Sequence, residues 1–311
     1  MAVISVVMSA YNAESFIKQA IESVLKQEFN DFELILVDDG STDDTASIYG
    51  TFQDQRLIIV KNEENCGQTF SLNRGINLAK GIYIARVDAD DIAAPDMLQK
   101  MFEFLERSPQ TAILGTSKKL IDPTGSVIRE FRPPVDNQEI QKTLLTWNCL
   151  PHGGIIYRTD CLNFVGCYDE SIKLAQDYDL ALRLSEPWDA ANLSELLYEY
   201  RWHDNMISMN RREDQDFWSK RIKEIAIKRR LELGKNLLFD KDLAPDFFRS
   251  KSKRWLADRY TWWSMSVRGP GSFIFALKFL LISLIMNPVN STAWNFISGA
   301  FIRKLFLKRV A

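Results

Sequence analysis

The sequence predicts an α/β fold with a mixed, mostly parallel sheet, followed by a helical C-terminal region. Short β-branched runs alternate with segments of helical periodicity, and strands separated by helices indicate parallel strands joined by right-handed crossovers. The charge pattern then changes sign near residue 210. We therefore expect an α/β domain over residues 1–210 and a helical, basic region over residues 211–311.

The N-terminal part shows the alternation most clearly. Residues 4–8 form a β-branched run typical of a strand buried on both faces, and residues 32–37 (FELILV) repeat it. Between these runs, apolar side chains recur at helical spacing. The predicted elements are, in order, strand 4–8, helix 16–25, strand 32–37, a helix through Ile48, strand 57–60, helix 69–79 and strand 82–87.

Beyond Pro95 the predicted elements are less regularly spaced. The sequence His152-Gly153-Gly154 opens one strand-like run, and from Glu213 the pattern changes to charged helices. The predicted elements are, in order, a helix ending near Ser108, strand 112–121, strand 155–158, helix 176–184, strand 196–201, helix 218–233 and a helix around 255–263.

The composition excludes two broad classes of protein. Of the 311 residues 46% are hydrophobic and 26% are charged, which fits neither a disordered chain nor a wholly membrane-embedded one. Residues 1–210 carry 18 Lys and Arg against 32 Asp and Glu, whereas residues 211–311 carry 21 against 9. The acidic part suits metal chelation, and the basic part suits an anionic surface such as lipid headgroups or nucleic acid.

The cysteines and the N-terminus indicate the compartment. The four cysteines match no CxxC clip and only two histidines are present, so we expect reduced thiols and no structural zinc. The N-terminal apolar run has the length of a strand and lacks a basic segment before it, so no secretory signal is expected. The predicted location is the cytoplasm. Whether the protein also attaches peripherally to the inner face of the membrane stays open.

Polar clusters follow three of the predicted strands. They run from Ser9 to Asn12, from Asp38 to Asp43 and from Asp88 to Asp91. Because ligands of open parallel sheets bind at the carboxyl ends of the strands, these clusters predict a binding site at that edge.

The third cluster has the chemistry of a metal site. Asp88 and Asp90 are two residues apart in a tight turn, so both carboxylates can converge on one hard cation, Mg²⁺ or Mn²⁺, with diphosphate oxygens completing its coordination. The alternative is a polar loop whose aspartates cap the helix after Ala94-Pro95.

The first two clusters also allow two interpretations each. Ser41-Thr42-Asp43 is predicted to cap the next helix, whereas Asp39 can face the crevice and accept a hydrogen bond from a nucleobase or ribose. Tyr11 is either a loop aromatic packed on the sheet or a surface for base stacking.

Four segments together resemble a known family. ISVVMSAYN, FELILVDDGSTDDT, GIYIARVDADDIAAPDML and QDYDLALRL are similar to the successive signatures of family 2 glycosyltransferases, in the family's order and at about its spacing. The resemblance covers about residues 1–205. It implies a GT-A fold and an inverting transfer from a nucleoside-diphosphate sugar, most often a UDP-sugar. The acceptor would be a saccharide or a lipid-linked molecule of cell-surface polysaccharide synthesis.

The resemblance also implies roles for individual residues. Asp177 would be the general base, and a divalent metal, Mn²⁺ or Mg²⁺, would bind Asp88, Asp90 and His203. The alternative for His203 is a histidine at a strand end. The nucleotide sugar would bind Ser9, Tyr11, Asp39, Arg74 and Asp88. The family often has Glu-Asp where this chain has Gln176-Asp177. This difference leaves the base in place and puts in doubt only a role of Gln176 in positioning the acceptor. His152 is expected to shape the acceptor side.

Other functions stay open at this point. A sugar-phosphate nucleotidylyltransferase has a related fold, but its Gly-rich loop after the first strand is missing from SAYNAES. A non-catalytic nucleotide-sugar-binding or scaffold protein is the alternative from another class, and the four aspartates of the predicted site argue against it. Nucleic-acid binding by the basic region lacks a supporting motif.

The C-terminal region carries an apolar segment and a basic tail. Residues 273–286 are nearly all apolar, but fourteen residues fall short of the ~20 that cross a bilayer. Arg303, Lys304, Lys308 and Arg309 then lie among large apolar side chains, as in a helix that binds an anionic membrane surface. A buried helical hairpin and an oligomer interface are the alternatives.

Overall fold

The computed structural model describes residues 2–150, 152–203 and 212–232 of the chain. The predicted helix around 255–263, the apolar segment 273–286 and the basic tail lie outside the described residues. The described strands are β1 (Ile4–Ala10), β2 (Phe32–Asp38), β3 (Leu57–Lys61), β4 (Tyr83–Arg86), β5 (Ile92–Ala93), β6 (Thr111–Ile121), β7 (Val127–Phe131), β8 (Ile155–Arg158) and β9 (Asp189–Arg201).

Eight helices are described, and most of them cover the faces of the sheet. They are α1 (Ile17–Leu25), α2 (Thr45–Tyr49), α3 (Gln68–Leu78), α4 (Met97–Arg107), α5 (Asn137–Leu144), α6 (Thr159–Val165), α7 (Gln176–Leu184) and α8 (Arg212–Glu232). Among them, none is both long and apolar enough to cross a membrane.

The sheet is mixed, with a parallel half and an antiparallel half. Its order is β3-β2-β1-β4-β8-β6-β9-β5; β3, β2, β1 and β4 are parallel, whereas β8 is antiparallel to both β4 and β6, and β5 to β9. The last residues of β1 and β2, Ala10 and Asp38, are paired, so both chains leave the sheet at the same edge. The predicted α/β class with a mixed sheet is confirmed, and the parallel pairs lie among its four N-terminal strands.

The core lies on both faces of β1 and β2. Val6 and Met8 belong to a buried cluster with helices α1 and α4, while Val7 belongs to a second cluster with α3, as the period of two along a strand requires. Helix α3 approaches the sheet closely at Gly75, where a Cβ would lie 2.6 Å from Cγ1 of Val7. The parallel strands are thus held rigidly beneath the loops that follow them.

Some elements differ from the prediction. Strand β9 begins at Asp189, seven residues before the predicted start, and α5, α6, β5 and β7 were not predicted. The first residues of β9, Asp-Ala-Ala-Asn, lack the β-branched and aromatic side chains that identify strands in a sequence. Burial of Ala190 and Asn192 in the finished fold selects the extended conformation instead.

The chain forms two compact units. The first contains the described residues up to Leu120 and from Glu130 onward, including α8. Of the second, only residues 121–129 are described. There Asp122 shapes a turn by accepting hydrogen bonds from the backbone N–H groups of Thr124 (2.9 Å) and Ser126 (3.0 Å). The domain boundary at residue 210 stays a prediction.

Helix α8 packs on α7 within the first unit. Ile222 and Ala226 of α8 are buried in the same apolar cluster as Leu180 and Leu184 of α7. The helical character expected beyond residue 211 is therefore present over residues 212–232.

Candidate active site

The loops after β1 and β2 are bonded to each other at the edge of the sheet. Asn12 adopts a left-handed conformation (φ 49°), which asparagine tolerates better than most residues. Its backbone N–H donates to Oγ of Ser41 (3.0 Å), and its side-chain oxygen accepts from the N–H of Thr42 (2.9 Å). The two loops are therefore bonded to each other. Tyr11 is 47% exposed, and Ser9 near the end of β1 is half-buried.

The two neighbouring aspartates after β2 have different surroundings. Asp38 is fully buried and accepts hydrogen bonds from the N–H of Ser41 (2.9 Å) and the hydroxyl of Tyr49 (3.0 Å). Burial, together with the charge of Asp38, raises the pKa of Tyr49 to about 12. Asp38 is thus part of the structure of the loop. Asp39 is also buried, with 2% of its surface exposed.

Asp39 is bonded to the segment that precedes α3. Its carboxylate accepts hydrogen bonds from Nδ2 of Asn62 (2.7 Å) and from the N–H groups of Cys66 (2.9 Å) and Gly67 (2.8 Å). A carboxylate offers about four acceptor positions, so these three contacts leave one for a ligand. Gly67 has a φ of 95°, which a side chain would disfavour.

Arg74 lies on the same side of the crevice. Its Nη1 atom donates to the carbonyl oxygen of Lys61 (3.0 Å) and also contacts Oδ1 of Asn62. Because Asn62 bonds Asp39 as well, Arg74 and Asp39 belong to one hydrogen-bonded network. The structure brings these two predicted nucleotide-site residues together, beside the loop that carries Tyr11.

Asp88 is held in an ion pair that the sequence analysis did not anticipate. Nη2 of Arg86, which is 1% exposed at the end of β4, lies 2.6 Å from Oδ1 of Asp88. Burial alone would raise the pKa of Asp88, but the charges of Arg86 and His152 and the hydrogen bond from Arg86 leave the pKa below its ordinary value. A basic residue inside a strand that is otherwise apolar was the signal in the sequence for this pairing.

A close backbone approach also positions Asp88. A Cβ on Gly153 would lie 2.7 Å from Oδ2 of Asp88 and would overlap the hydroxyl of Tyr198. That hydroxyl accepts a hydrogen bond from the backbone N–H of Asp88 (2.9 Å). Gly154, with a φ of 73°, packs directly on the ring of Tyr198. In the sequence, Gly153 and Gly154 indicated only the start of a strand. In the structure, their lack of a side chain allows the chain before β8 to pack against Asp88 and β9.

Asp90 and His203 contact each other. Nε2 of His203 lies 2.9 Å from Oδ2 of Asp90, and the ring of Phe16 packs on the imidazole at a centroid distance of 5.1 Å. Arg201 donates from Nε to the carbonyl oxygen of Asp90 (2.9 Å), which fixes the turn. The alternative was that the aspartates of this turn cap the next helix. The N-cap residue of α4 is instead Asp96, and the helix begins at Met97.

The donor set of this turn fits a Mg²⁺ or Mn²⁺ ion. Carboxylate oxygens are suitable ligands for either ion, and Asp90 keeps 35% of its side chain exposed beside His203. Within the described ranges, no group of three His, Cys, Asp or Glu side chains converges as a complete protein site. Mg²⁺ ions in nucleotide enzymes are commonly held by one or two carboxylates and by substrate phosphates, a mode that does not require three converging protein ligands.

Asp91 has a structural position next to this turn. It is 1% exposed, and its Oδ1 accepts a hydrogen bond from the backbone N–H of Arg201 (2.8 Å). Burial, together with the charges of Asp90 and Asp88, raises the pKa of Asp91 well above its ordinary value. Asp91 therefore connects the acidic turn to the end of β9.

Asp177 lies in the first turn of α7, where the helix dipole favours a negative charge. Its Oδ2 atom accepts a hydrogen bond from Nδ2 of Asn148 (2.8 Å). Asp179, two residues further on, is bonded to Nε of Arg183 (2.7 Å). Of these two aspartates, Asp177 is the one that lacks an ion-pair partner in the described part of the chain.

Gln176 connects α7 to Asp88 through Gln68. Its Nε2 atom donates to Oε1 of Gln68 (3.2 Å), and Nε2 of Gln68 donates to Oδ1 of Asp88 (3.5 Å). The amide that replaces the family's common glutamate thus has a positioning contact across the crevice.

Asp88 and Asp177 both influence the pKa values of two basic side chains, His152 and Lys118. Burial and the charge of Arg86 lower the pKa of His152, while Asp177 and Asp88 both act in the opposite direction. Burial lowers the pKa of Lys118, and the charges of Asp91, Asp88 and Asp177 oppose that shift. Each basic group therefore lies within electrostatic range of both carboxylates. His152 also contacts the hydroxyl of Tyr168 through Nε2 (3.2 Å).

Sequence comparisons identify relatives over this region. The sequence model described as "Glycosyl transferase family 2" matches residues 5–162. An "Uncharacterized glycosyltransferase MJ1057" of Methanocaldococcus jannaschii is 35% identical over 213 residues, which are 66% of this chain and 73% of the relative. The "O-antigen biosynthesis glycosyltransferase WbnJ" of Escherichia coli is 32% identical over 216 residues, 65% of this chain and 80% of the relative.

Solved structures share the fold. TarS 1-349 of S. aureus in complex with UDP superposes with a TM-score of 0.62 at 20% identity, over 94% of this chain and 88% of that chain. The same protein in complex with UDP-GlcNAc gives a TM-score of 0.61 at 22% identity, over 91% and 82% of the two chains. The likeness confirms the GT-A fold that the sequence predicted.

Proposed function

Because the chain belongs to glycosyl transferase family 2, we propose that it transfers a sugar, with inversion, from a nucleoside-diphosphate sugar to a hydroxyl group. The chain is a glycosyltransferase with a GT-A fold. The assignment of its residues rests on one observation. Gln176, the neighbour of Asp177 in α7, donates a hydrogen bond to Gln68, and Gln68 donates one to Asp88 in the loop after β4.

Asp177 is proposed as the general base. As the acceptor oxygen attacks the anomeric carbon, the bond between that carbon and the diphosphate oxygen breaks, and the hydroxyl proton passes to Asp177. Asn148 bonds Oδ2, and Oδ1 has no hydrogen-bond partner among the described residues, so Oδ1 is proposed to take the proton. A positioned general base typically accelerates such a step about 10²- to 10⁴-fold.

Asp88, Asp90 and His203 would hold the divalent cation, Mn²⁺ or Mg²⁺. When bound, that cation supplies positive charge to the leaving diphosphate. The contribution of the chain is orientation: Arg86 fixes one oxygen of Asp88, and Phe16 packs on the ring of His203 beside Asp90.

The nucleotide is proposed to lie against the loops after β1 and β2. The remaining acceptor position of Asp39 suits an N–H of a pyrimidine base, and the exposed ring of Tyr11 offers a stacking surface. Arg74 and Ser9 complete this side. Uridine is the proposed nucleoside, since the structures of similar fold hold UDP and UDP-GlcNAc.

The proposed acceptor is a saccharide or a lipid-linked saccharide of cell-surface polysaccharide synthesis. This proposal draws on the name of the WbnJ relative, which places that protein in O-antigen biosynthesis. A location in the cytoplasm, peripheral to the inner face of the membrane, is part of the same proposal and draws on the basic tail of the sequence. The predicted domain division, 1–210 catalytic and 211–311 basic, belongs with it.

A metal-dependent hydrolysis assay tests the proposal directly. The protein is incubated with UDP-glucose, UDP-galactose or UDP-N-acetylglucosamine and Mn²⁺, and release of UDP is followed with and without saccharide acceptors. We expect UDP release that depends on Asp177 and on the metal. Binding of UDP-sugars without any release or transfer would indicate a non-catalytic binding protein. Formation of UDP-sugar from UTP and a sugar phosphate would indicate a nucleotidylyltransferase.

A further inference from the structure

Two consecutive lysines on β6 have opposite environments. The ammonium of Lys119 forms an ion pair with Glu199 of β9, at 3.0 Å. Since successive side chains of a strand point to opposite faces, Lys118 points to the other face of the sheet. The two residues share a strand and a charge, and they differ in what they contact.

The Lys118 ammonium is placed by aromatic rings. Its Nζ lies 4.3 Å from the ring centroid of Tyr200 and 5.7 Å from that of Phe131. Both distances are within the range of cation–π contacts. Across the described part of the chain, Lys118 makes no hydrogen bond and no ion pair within 4.0 Å. Its three N–H donors are therefore held in place with no protein acceptor.

The aromatic contacts of Lys118 also place it near the carboxylates of the site. Asp91, Asp88 and Asp177 all raise the pKa of Lys118, against the larger effect of its burial. Tyr200 lies two residues after Tyr198, whose hydroxyl contacts the backbone N–H of Asp88 (2.9 Å). Phe131 packs on Trp147, the neighbour of Asn148, at a centroid distance of 5.7 Å. Lys118 thus lies near Asp88 and near the segment that bonds the proposed base.

If the proposed function is correct, the position of Lys118 indicates which part of the substrate it contacts. The anomeric carbon is bonded to the diphosphate near Asp88 and Asp90, and it is attacked by a hydroxyl bonded to Asp177. The sugar being transferred must therefore occupy the space between these groups. We propose that Lys118 is a substrate-binding residue that donates hydrogen bonds to hydroxyl oxygens of the transferred sugar.

The surroundings favour a neutral sugar over an anionic group as the partner of Lys118. Asp88 and Asp177 would repel a carboxylate or a second phosphate brought into the same space. Sugar hydroxyls accept hydrogen bonds from an ammonium without adding negative charge. The rings of Tyr200 and Phe131 keep the ammonium in one position, so that binding does not have to order a free lysine side chain.

The test separates sugar binding from nucleotide binding. Calorimetric affinities for UDP and for the tightest-binding of UDP-glucose, UDP-galactose and UDP-N-acetylglucosamine are measured with Mg²⁺ on the full chain. We expect Lys118→Met to weaken UDP-sugar binding about 10- to 100-fold, the usual worth of hydrogen bonds to a charged donor, and to leave UDP binding unchanged. Lys119→Met is the matched control and should change neither affinity.

Three results decide the question. An equal loss of UDP and UDP-sugar affinity in Lys118→Met would overturn the proposal and assign the lysine to the diphosphate. Unchanged affinities would overturn it in favour of a structural lysine. A wild-type chain that binds neither ligand would instead overturn the proposed function on which this inference rests. If Lys118→Met does not fold, Lys118→Gln is measured in its place, with the same expected loss.

Discussion

Nε2 of His203 and Oδ2 of Asp90 lie 2.9 Å apart, although 113 residues separate them in the chain. Phe16, which precedes α1, packs on the imidazole, and Arg201 bonds the carbonyl oxygen of Asp90. Three distant segments therefore meet at one pair of donor atoms. This convergence is the structural basis of the hypothesis that Asp90 and His203 bind a metal ion.

Metal binding should be coupled to nucleotide binding through this pair. We expect UDP to raise the Tm strongly with Mn²⁺ or Mg²⁺ and weakly in EDTA, because a ligand at 100 times its Kd stabilises by about 2.7 kcal/mol. His203→Ala and Asp90→Asn should lose most of the metal-dependent increment in a thermal-shift assay. Equal shifts with metal and with EDTA, in a protein that transfers sugar, would contradict the assignment.

Asp177→Asn should keep UDP binding and lower kcat by at least about 10²-fold, because a general base acts on the transition state. The asparagine oxygen still accepts the hydrogen bond from Asn148, so the local structure is retained. Initial rates of UDP release and calorimetric UDP affinity are the two measurements.

Asp179→Asn is the control for that experiment. Asp179 is bonded to Arg183, so its loss should cost about 1.5–3 kcal/mol of unfolding free energy, with a much smaller effect on kcat. The assignment of the base is wrong if Asp179→Asn, and not Asp177→Asn, abolishes turnover in folded protein.

Much of the fold could be predicted because β1 and β2 are buried on both faces and appear as continuous apolar runs. The polar ends of those strands then indicated the edge of the sheet where Asp39 and Asp88 lie. Strand β9 was found only in its second half, because its start at Asp189–Asn192 carries no local strand signal. Local patterns report single elements, and they were sufficient where each element is strongly apolar.

The contacts that orient the site could not be predicted in the same way. Arg86 and Asp88 are two residues apart, but their pairing depends on the burial of Arg86 among residues from other strands. The approach of Gly153 to Tyr198 joins positions that only the folded sheet brings together. Such contacts are set by tertiary packing, which a periodic pattern does not encode.

Arg86→Met should reduce stability strongly. Removing one partner of a buried ion pair typically costs about 3–5 kcal/mol, because the remaining charge stays buried without compensation. The Arg86 side chain is 2% exposed and that of Asp88 is 18% exposed. Urea unfolding measures the loss. Arg107→Met removes the exposed pair with Glu103 and should change stability by less than about 1 kcal/mol. Similar losses in both variants would refute the structural role of Arg86.

The basic tail should bind anionic membranes, although it lies outside the described residues and the prediction rests on sequence alone. Arg303, Lys304, Lys308 and Arg309 would each contribute about 1 kcal/mol near an anionic surface. Full-length protein should float with phosphatidylglycerol vesicles at low salt and be released at high salt. Replacing the four residues by Gln should abolish flotation. Binding that persists in this variant, or that is missing in the wild type, would reject the interfacial interpretation.

Gly153→Ala tests whether the close approach of β8 matters for the reaction. The added Cβ would lie 2.7 Å from Oδ2 of Asp88 and would overlap Tyr198, so either the aspartate or the tyrosine must move. Because a displacement of about 1 Å can cost about 10²-fold in rate, we expect a large fall in kcat/KM from a change of one methyl group.

Gly50→Ala is the control: its backbone is already helical, with a φ of −63°. Its new Cβ would lie 3.2 Å from the nearest atom, the carbonyl oxygen of Ala46, so activity should be unchanged. Circular dichroism would confirm that Gly153→Ala is folded. Full activity in that folded variant would show that the position of Asp88 is not set by this contact.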